Sequence, residues 1–270
     1  MIIGIDKGAS AVKLAAVEKN KVLFQKTLVG DKRPAQELYY EFLTENILNE
    51  KQIERIAVTG VGAEGDAFAG VTVPVSFVPE IEATGAGGVS LAHQRSAVVV
   101  SIGTGTSLVL ARMGRYTHIG GSGVGSGTLR GLAQKLFGLA DVYGLIQLAD
   151  KGNRLTVDLT VGDLFSGTDT LPRDLTASNL AKAEPDATEA DWAKAVVNTV
   201  LEVAGSHAAL ACYAYGVKNV VITGGISQTK IAKDVYDNFS RLYDLNYIIP
   251  EYSGYATAIG AARRAVRMSK

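Results

Sequence analysis

The apolar and polar positions fall into two similar halves. Residues 1–6 (MIIGID) form a short apolar run that ends on Asp6, and residues 12–17 and 22–29 are further extended runs. A Lys7-Gly8-Ala9-Ser10 turn and a polar turn at 19–21 separate them, so three consecutive strands are predicted. A helix is expected over 34–49, where Pro34 suits a first turn and Leu38, Phe42 and Ile47 recur at helical spacing. Residues 55–59 read as a buried strand closed by Gly60 and Gly62, and 71–75 as another extended run. Residues 80–93 read as a helix interrupted by Gly85, Gly87 and Gly88. Each glycine weakens a helix, which predicts close packing there against another backbone or a ligand.

From residue 97 the pattern of strand, glycine turn and strand returns, with Gly103-Thr104-Gly105-Thr106-Ser107 between the runs 97–100 and 108–111. Residues 101–127 hold eight glycines, where average usage gives about two. A second cluster, from Gly120 to Gly127, runs into a helix expected over 128–139, and another helix follows at 141–151. Residues 152–183 are polar and irregular, and read as a lid or substrate-facing segment. Thr188-Glu189-Ala190-Asp191 fits a capping box that opens the longest helix, ended by Gly216. That helix is apolar nearly all round, which suits a core or a subunit interface. Strand 220–223 then runs into Gly224-Gly225, followed by a helix at 231–242, an extended stretch at 247–249 and a closing helix at 257–268. The order predicts an α/β fold of mixed sheets flanked by helices.

Composition narrows the function. The 270 residues are 47% apolar and 20% charged, which suits a soluble globular protein of one large or two smaller domains. Lys+Arg and Asp+Glu balance at 27 each, so no global field recruits nucleic acid or an anionic membrane. A lone cysteine, Cys212, excludes disulfide frameworks and cysteine-held clusters within one chain, and suits a reducing cytoplasm. No signal peptide or membrane span is visible, so a cytoplasmic location is expected.

The glycine turns carry the candidate chemistry. A turn without Cβ atoms lets backbone N–H groups approach an anion, and Thr104, Thr106 and Ser107 add hydroxyls. A helix N-terminus after Gly127 would offer its own N–H groups and partial positive charge to phosphate. Two glycine turns in an α/β protein can also be only turns.

Two strand–turn–strand halves plus a late strand–Gly-Gly element resemble the actin and sugar kinase superfamily of ATP-binding proteins. GIDKGASAVK, SIGTGTSL, HIGGSGVGSGTLRGL, ADKGNRLTVDLTVGDLF and DLTASNL resemble, in turn, segments of the type II, eukaryotic-like pantothenate kinases. The resemblance implies two RNase-H-like lobes, 1–94 and 95–254, with 255–270 packing back on the first. It implies ATP and Mg²⁺ as cofactors, pantothenate as substrate, coenzyme A biosynthesis as the setting, and a homodimer formed through the long helix. Gly8, Ser10 and Lys13 would face the phosphates from the first half, and Gly103, Thr104, Gly105 and Thr106 from the second. Gly121, Gly123, Gly125 and Gly127 would continue that cradle, while Gly224, Gly225 and Ser227 would hold the adenosine. Asp6, at a strand end, is the expected Mg²⁺ carboxylate.

Glu80 corresponds to the glutamate that takes the proton from the substrate hydroxyl, with Glu82 its rival; a first-turn glutamate also serves the helix dipole. Thr176 and Asn179 match the substrate-side segment, and both residue types also serve as ordinary turn and cap residues. The chain departs from the family at His118, where the family has an arginine before its Gly-Gly run. Protonated His118 can act as the cation, Arg112 or Arg115 can supply it, or the substrate has changed. A kinase for another small alcohol or amino sugar, and a nucleotide-binding pseudokinase, therefore stand beside the pantothenate kinase reading.

Overall fold

The computed structural model describes residues 1–19, 21–63, 68–166 and 171–267. Residue 20 of the first polar turn, 167–170 of the irregular segment and residue 268 of the expected closing helix lie outside the described residues. The first sheet takes β1 (Ile2–Lys7), β2 (Ala11–Glu18) and β3 (Lys21–Val29), then α1 (Ala35–Glu45), β4 (Arg55–Thr59) and β5 (Val75–Phe77). Its order is β3-β2-β1-β4-β5, with β1–β3 antiparallel and β4 and β5 parallel to β1. After α2 (Glu80–Leu91), the chain repeats the plan with β6 (Ser96–Ile102), β7 (Thr106–Arg112) and β8 (Arg115–Ser122). Helices α3 (Ser126–Phe137) and α4 (Val142–Ala149) lead to the short pieces β9 (Leu159–Thr160), α5 (Val161–Leu164) and β10 (Thr176–Ser178). The long α6 (Glu189–Tyr215), β11 (Asn219–Gly224), α7 (Lys230–Tyr243), β12 (Asn246–Ile248) and α8 (Ala256–Arg267) complete it. The second sheet runs β12-β11-β6-β7-β8, the same arrangement as the first. The two halves expected from the pattern are thus two sheets of one topology.

Three of the departures from the sequence expectation have a clear local reason. The extended run at 71–75 joins the ladder only at Val75, because Pro74 has no N–H to contribute and offers only its carbonyl, to Ile56. α1 stops at Glu45: the Asn46 amide folds back to the Phe42 carbonyl, and Asn49 caps a separate turn over Glu50–Gln52. The stretch before the second glycine cluster is a full strand, β8, joined to β7 by Met113-Gly114 with φ of 49° and 80°. Such a two-residue turn matches the twist of a hairpin.

Alternation gives each strand one face for each side of its sheet. Ile3, Ile5, Val12, Leu14, Ile56 and Val58 pack under α1, whereas Ile2, Ala15 and Ala57 meet α8 and α2 on the other face. The glycines of α2 serve packing: a Cβ on Gly85 would meet the Tyr116 ring, one on Gly87 the Ala256 carbonyl, and one on Gly88 the Val99 side chain. Gly260 of α8 is pressed as closely on Ala83 of α2. The crossing of α2 and α8 therefore brings two backbones together and ties the sheets to each other. α6 is long and apolar enough to cross a membrane, yet Val196, Val197, Val200 and Leu201 are buried in the second core, so it behaves as a core helix.

Candidate functional site

At the ends of the first sheet's central strands, Lys13, Asp6 and Thr59 stand side by side, Asp6 paired with Lys13 across β2 and with Thr59 across β4. All three share the face of Ala15, Ile2 and Ala57, the side turned towards α2 and α8. Gly60, with φ of 96°, continues the row, and a Cβ there would lie 2.8 Å from Asp6 Oδ1. The Asp6 carboxylate thus leans over residue 60. Val78 N–H donates to the Val58 carbonyl (2.8 Å), which sets Glu80 and the head of α2 beside the end of β4. Burial pushes the Asp6 carboxyl up to about 7; the Lys13 ammonium opposes this and the Glu80 charge adds to it. Burial likewise lowers Lys13, with Asp6 opposing. Asp6, Lys13 and Glu80 therefore form one interacting charge cluster.

The two expected phosphate turns meet directly. Ser10 Oγ and Thr104 Oγ1 are hydrogen-bonded at 2.8 Å, linking the β1–β2 turn to the β6–β7 turn. Lys32 Nζ donates to the Ala9 carbonyl (3.3 Å), bringing a cation to the first turn. Nothing in the spacing of the motifs signalled it, because it comes from the loop after β3. Gly103 and Gly123 have open space where a side chain would be, with no atom nearer than 3.7 Å to Gly103's.

Other expectations for this region need correction. The first two amides of α3 are already taken: Ser126 N–H donates to the Gly103 carbonyl (2.8 Å) and Gly127 N–H to the Thr104 carbonyl (2.9 Å). Gly125 N–H goes to Thr128 Oγ1 (3.2 Å). Gly121, Gly125 and Gly127 lack a Cβ because the 103–106 turn lies on them, its carbonyls 2.3 to 2.8 Å from where one would be. These glycines make room for protein. Gly224, with φ of 109°, lets β11 press on the Ile102 carbonyl, and Gly225 beside it is open. Ser227 is 0% exposed, its hydroxyl bonded to the Gly224 carbonyl and Ser253 Oγ (both 2.7 Å), so it closes the turn rather than presenting itself to a nucleoside. A cavity of about 340 Å³ lies just beyond, lined by Gln228, Lys233, Asp237, Pro250 and Glu251 among others.

On β8, alternation separates the candidate cations. His118 is paired with Val109, and Tyr116 with Ala111, on the face packed by α2. Arg115 pairs with Arg112 on the opposite face, and Arg112 Nη2 donates to the Tyr215 carbonyl at the end of α6 (2.6 Å). Neither arginine shares His118's face, because residues an odd number apart on an unbulged strand point opposite ways. Glu82 is taken by Arg264, whose Nε donates to Oε2 at 3.0 Å and whose guanidinium stacks 5.5 Å from the Tyr116 ring. Glu80 is exposed at the head of α2.

Thr176 and Asn179 converge on Glu202 of α6, the hydroxyl at 2.7 Å and the amide at 2.8 Å. Arg154 donates to Thr176 Oγ1 (3.0 Å), and buried Asp158 accepts from Leu180 N–H (3.0 Å) and the Asn198 amide (3.2 Å). Much of the irregular segment is thereby fastened to α6. Its anchor, Asp158, was visible only as one of several scattered carboxylates. Among the described residues no group of three or more His, Cys, Asp or Glu gathers to hold a metal. Asp6 alone suits magnesium, which takes one or two carboxylates and keeps its waters.

The solved structures similar to this chain share its fold. The activator of 2-hydroxyisocaproyl-CoA dehydratase from Clostridium difficile, with bound ADPNP, matches with TM-score 0.70 at 17% identity, over 99% of this chain and 95% of that one. A ROK hexokinase from Thermus thermophilus matches with TM-score 0.56 at 13% identity, over 100% and 99%. These likenesses establish the two-lobed actin-like architecture. In sequence, the type II pantothenate kinase of Staphylococcus aureus (strain USA300) is 28% identical over 272 residues, covering 97% of this chain and 98% of the relative. The Fumble family model matches residues 91–264, well over half of the chain. On that match the chain belongs to the Fumble family, that of the type II pantothenate kinases.

Proposed function

We propose that the protein is an ATP- and Mg²⁺-dependent kinase that phosphorylates the primary hydroxyl of pantothenate, the first step towards coenzyme A. The observation that carries this reading is the Asp6–Lys13–Glu80 charge cluster, set against two small-residue turns joined by Ser10 and Thr104. The alcohol oxygen attacks the terminal phosphorus of ATP, its bond to the bridging oxygen breaks, and ADP leaves. Glu80 takes the alcohol's proton, which a carboxylate placed beside the phosphates can do. Lys13 and protonated His118 offset the charge on the transferred group from opposite lobes. Magnesium, facing Asp6, would neutralise the polyphosphate. Residues 1–94 with 255–270 act as one lobe and 95–254 as the other, closing to exclude water. The adenosine would lie at Gly224 and Gly225, beside the cavity at Lys233 and Glu251. Leu210, Tyr213 and Tyr215 stay exposed on α6, which suits a homodimer through that helix.

His118, where the family carries arginine, favours one second reading: a kinase of another small alcohol or amino sugar. A panel of alcohols with ATP consumption as readout separates the two. Strong turnover on pantothenate supports the first reading and turnover on a different alcohol the second. Nucleotide binding without turnover on any of them would mark a pseudokinase and overturn both.

A further inference from the structure

The reaction as described leaves Thr59 without a task. Its Oγ1 is buried and has no hydrogen-bond partner, and the residue is 2% exposed. A buried hydroxyl without a partner carries a desolvation penalty that a valine of the same shape would not. Its position is also specific. Thr59 is the last residue of β4, in register with Asp6, on the face of Ala57 and thus of Lys13. Adjacent strands lie about 4.8 Å apart, and Asp6 leans towards this side, over Gly60. Val78, bonded to Val58, brings the first turn of α2 to the same strand end. Threonine adds a donor and an acceptor to this corner without adding charge to a cluster that already holds Asp6, Lys13 and Glu80.

We propose that Thr59 is a positioning residue for the magnesium end of the site, its hydroxyl bonding to a water of the hydrated cation that Asp6 faces. Magnesium surrenders its waters reluctantly and takes few protein ligands, so one carboxylate flanked by a neutral hydroxyl is a lining it can use. Because this oxygen is closed to solvent in the structure, the side chain must turn towards Asp6 to take up that partner, which it does only when the metal–nucleotide complex is bound. This inference rests on the kinase reading.

The test compares wild type with T59V and T59S, by calorimetry of ADP binding with and without magnesium, alongside thermal unfolding. T59V should lose about tenfold in the affinity gained from magnesium, or ~1.4 kcal/mol. Its metal-free affinity should be unchanged and its midpoint equal or higher, because an orphaned polar group has been removed. T59S should restore most of the magnesium-dependent gain. A T59V protein that keeps the full gain overturns the proposal. So does equal loss with and without metal. Should T59V fail to fold, T59A supplies the same comparison. Absence of nucleotide binding in wild type would instead strike the kinase reading itself.

Discussion

Replacing Gly260 with alanine probes the joint between the two halves. A Cβ on Gly260 would lie 1.8 Å from the Ala83 carbonyl oxygen and 2.6 Å from the Gly87 nitrogen. Both are backbone atoms held in the hydrogen-bonded ladder of α2, so neither can turn aside as a flexible side chain would. Ordinary contact is about 3.5 Å, so the helices must part by on the order of 1.5 Å. Overpacking of this kind costs about 3 kcal/mol, the upper end for an inserted methyl group, because the obstruction is main chain. Alanine returns ~1 kcal/mol through its better helix propensity. The net loss should be about 2 kcal/mol. Urea unfolding followed by circular dichroism would report it as a lower midpoint with little change in slope. An alanine placed at Gly131 of α3, where no atom lies within 4 Å, is the control and should not destabilise. A G260A midpoint equal to or above wild type would refute the reasoning, since it would mean that the backbones do not meet.

Three further outcomes follow from the site. E80Q should bind nucleotide as wild type does and lose roughly a hundredfold or more in turnover, as removal of a general base does; near-normal turnover would remove Glu80 from that role. H118R should preserve or raise activity, since arginine brings a fixed charge and a forked set of donors, whereas H118A should lower it; full activity in H118A would exclude His118 as the cation. Asp6 governs one stretch of the stability curve. In the fold its carboxyl holds a proton up to about pH 7, whereas the unfolded chain releases it near 3.8. Across that window the native state binds more protons, so its contribution to stability falls as pH rises from about 4 to 7 and is level above. D6N lacks this fall, so wild type minus D6N should slope downward there; parallel curves would contradict the burial of the carboxylate.

Much of the fold was legible because it rests on local signals. The three opening strands, the capping box at Thr188 and the Gly216 stop on α6 are written in short patterns of apolar, capping and glycine residues. β8 escaped notice because its histidine, threonine and glycines do not read as a strand; it is held by pairing with β7, a tertiary effect. The same divide runs through the site. Asp6 and Lys13 were visible from motif and strand end, and they do meet. Thr59 was not visible, because its place depends on which strand pairs with β1 in which register. The glycine clusters pointed to close approach without naming the neighbour. At Gly121, Gly125 and Gly127 that neighbour is another loop of the same chain. Ser227, Thr176 and Asn179 belonged to recognisable segments, yet their polar atoms are engaged by Ser253 and Glu202.

The bond between Ser10 and Thr104 has a kinetic consequence. The two hydroxyls satisfy each other, so a group that comes between the turns must replace their mutual bond as well as shed water. A small group has few atoms with which to replace it, whereas a longer one can meet both sides at once. Under the kinase reading proposed above, such a clasp would favour guests long enough to reach both turns.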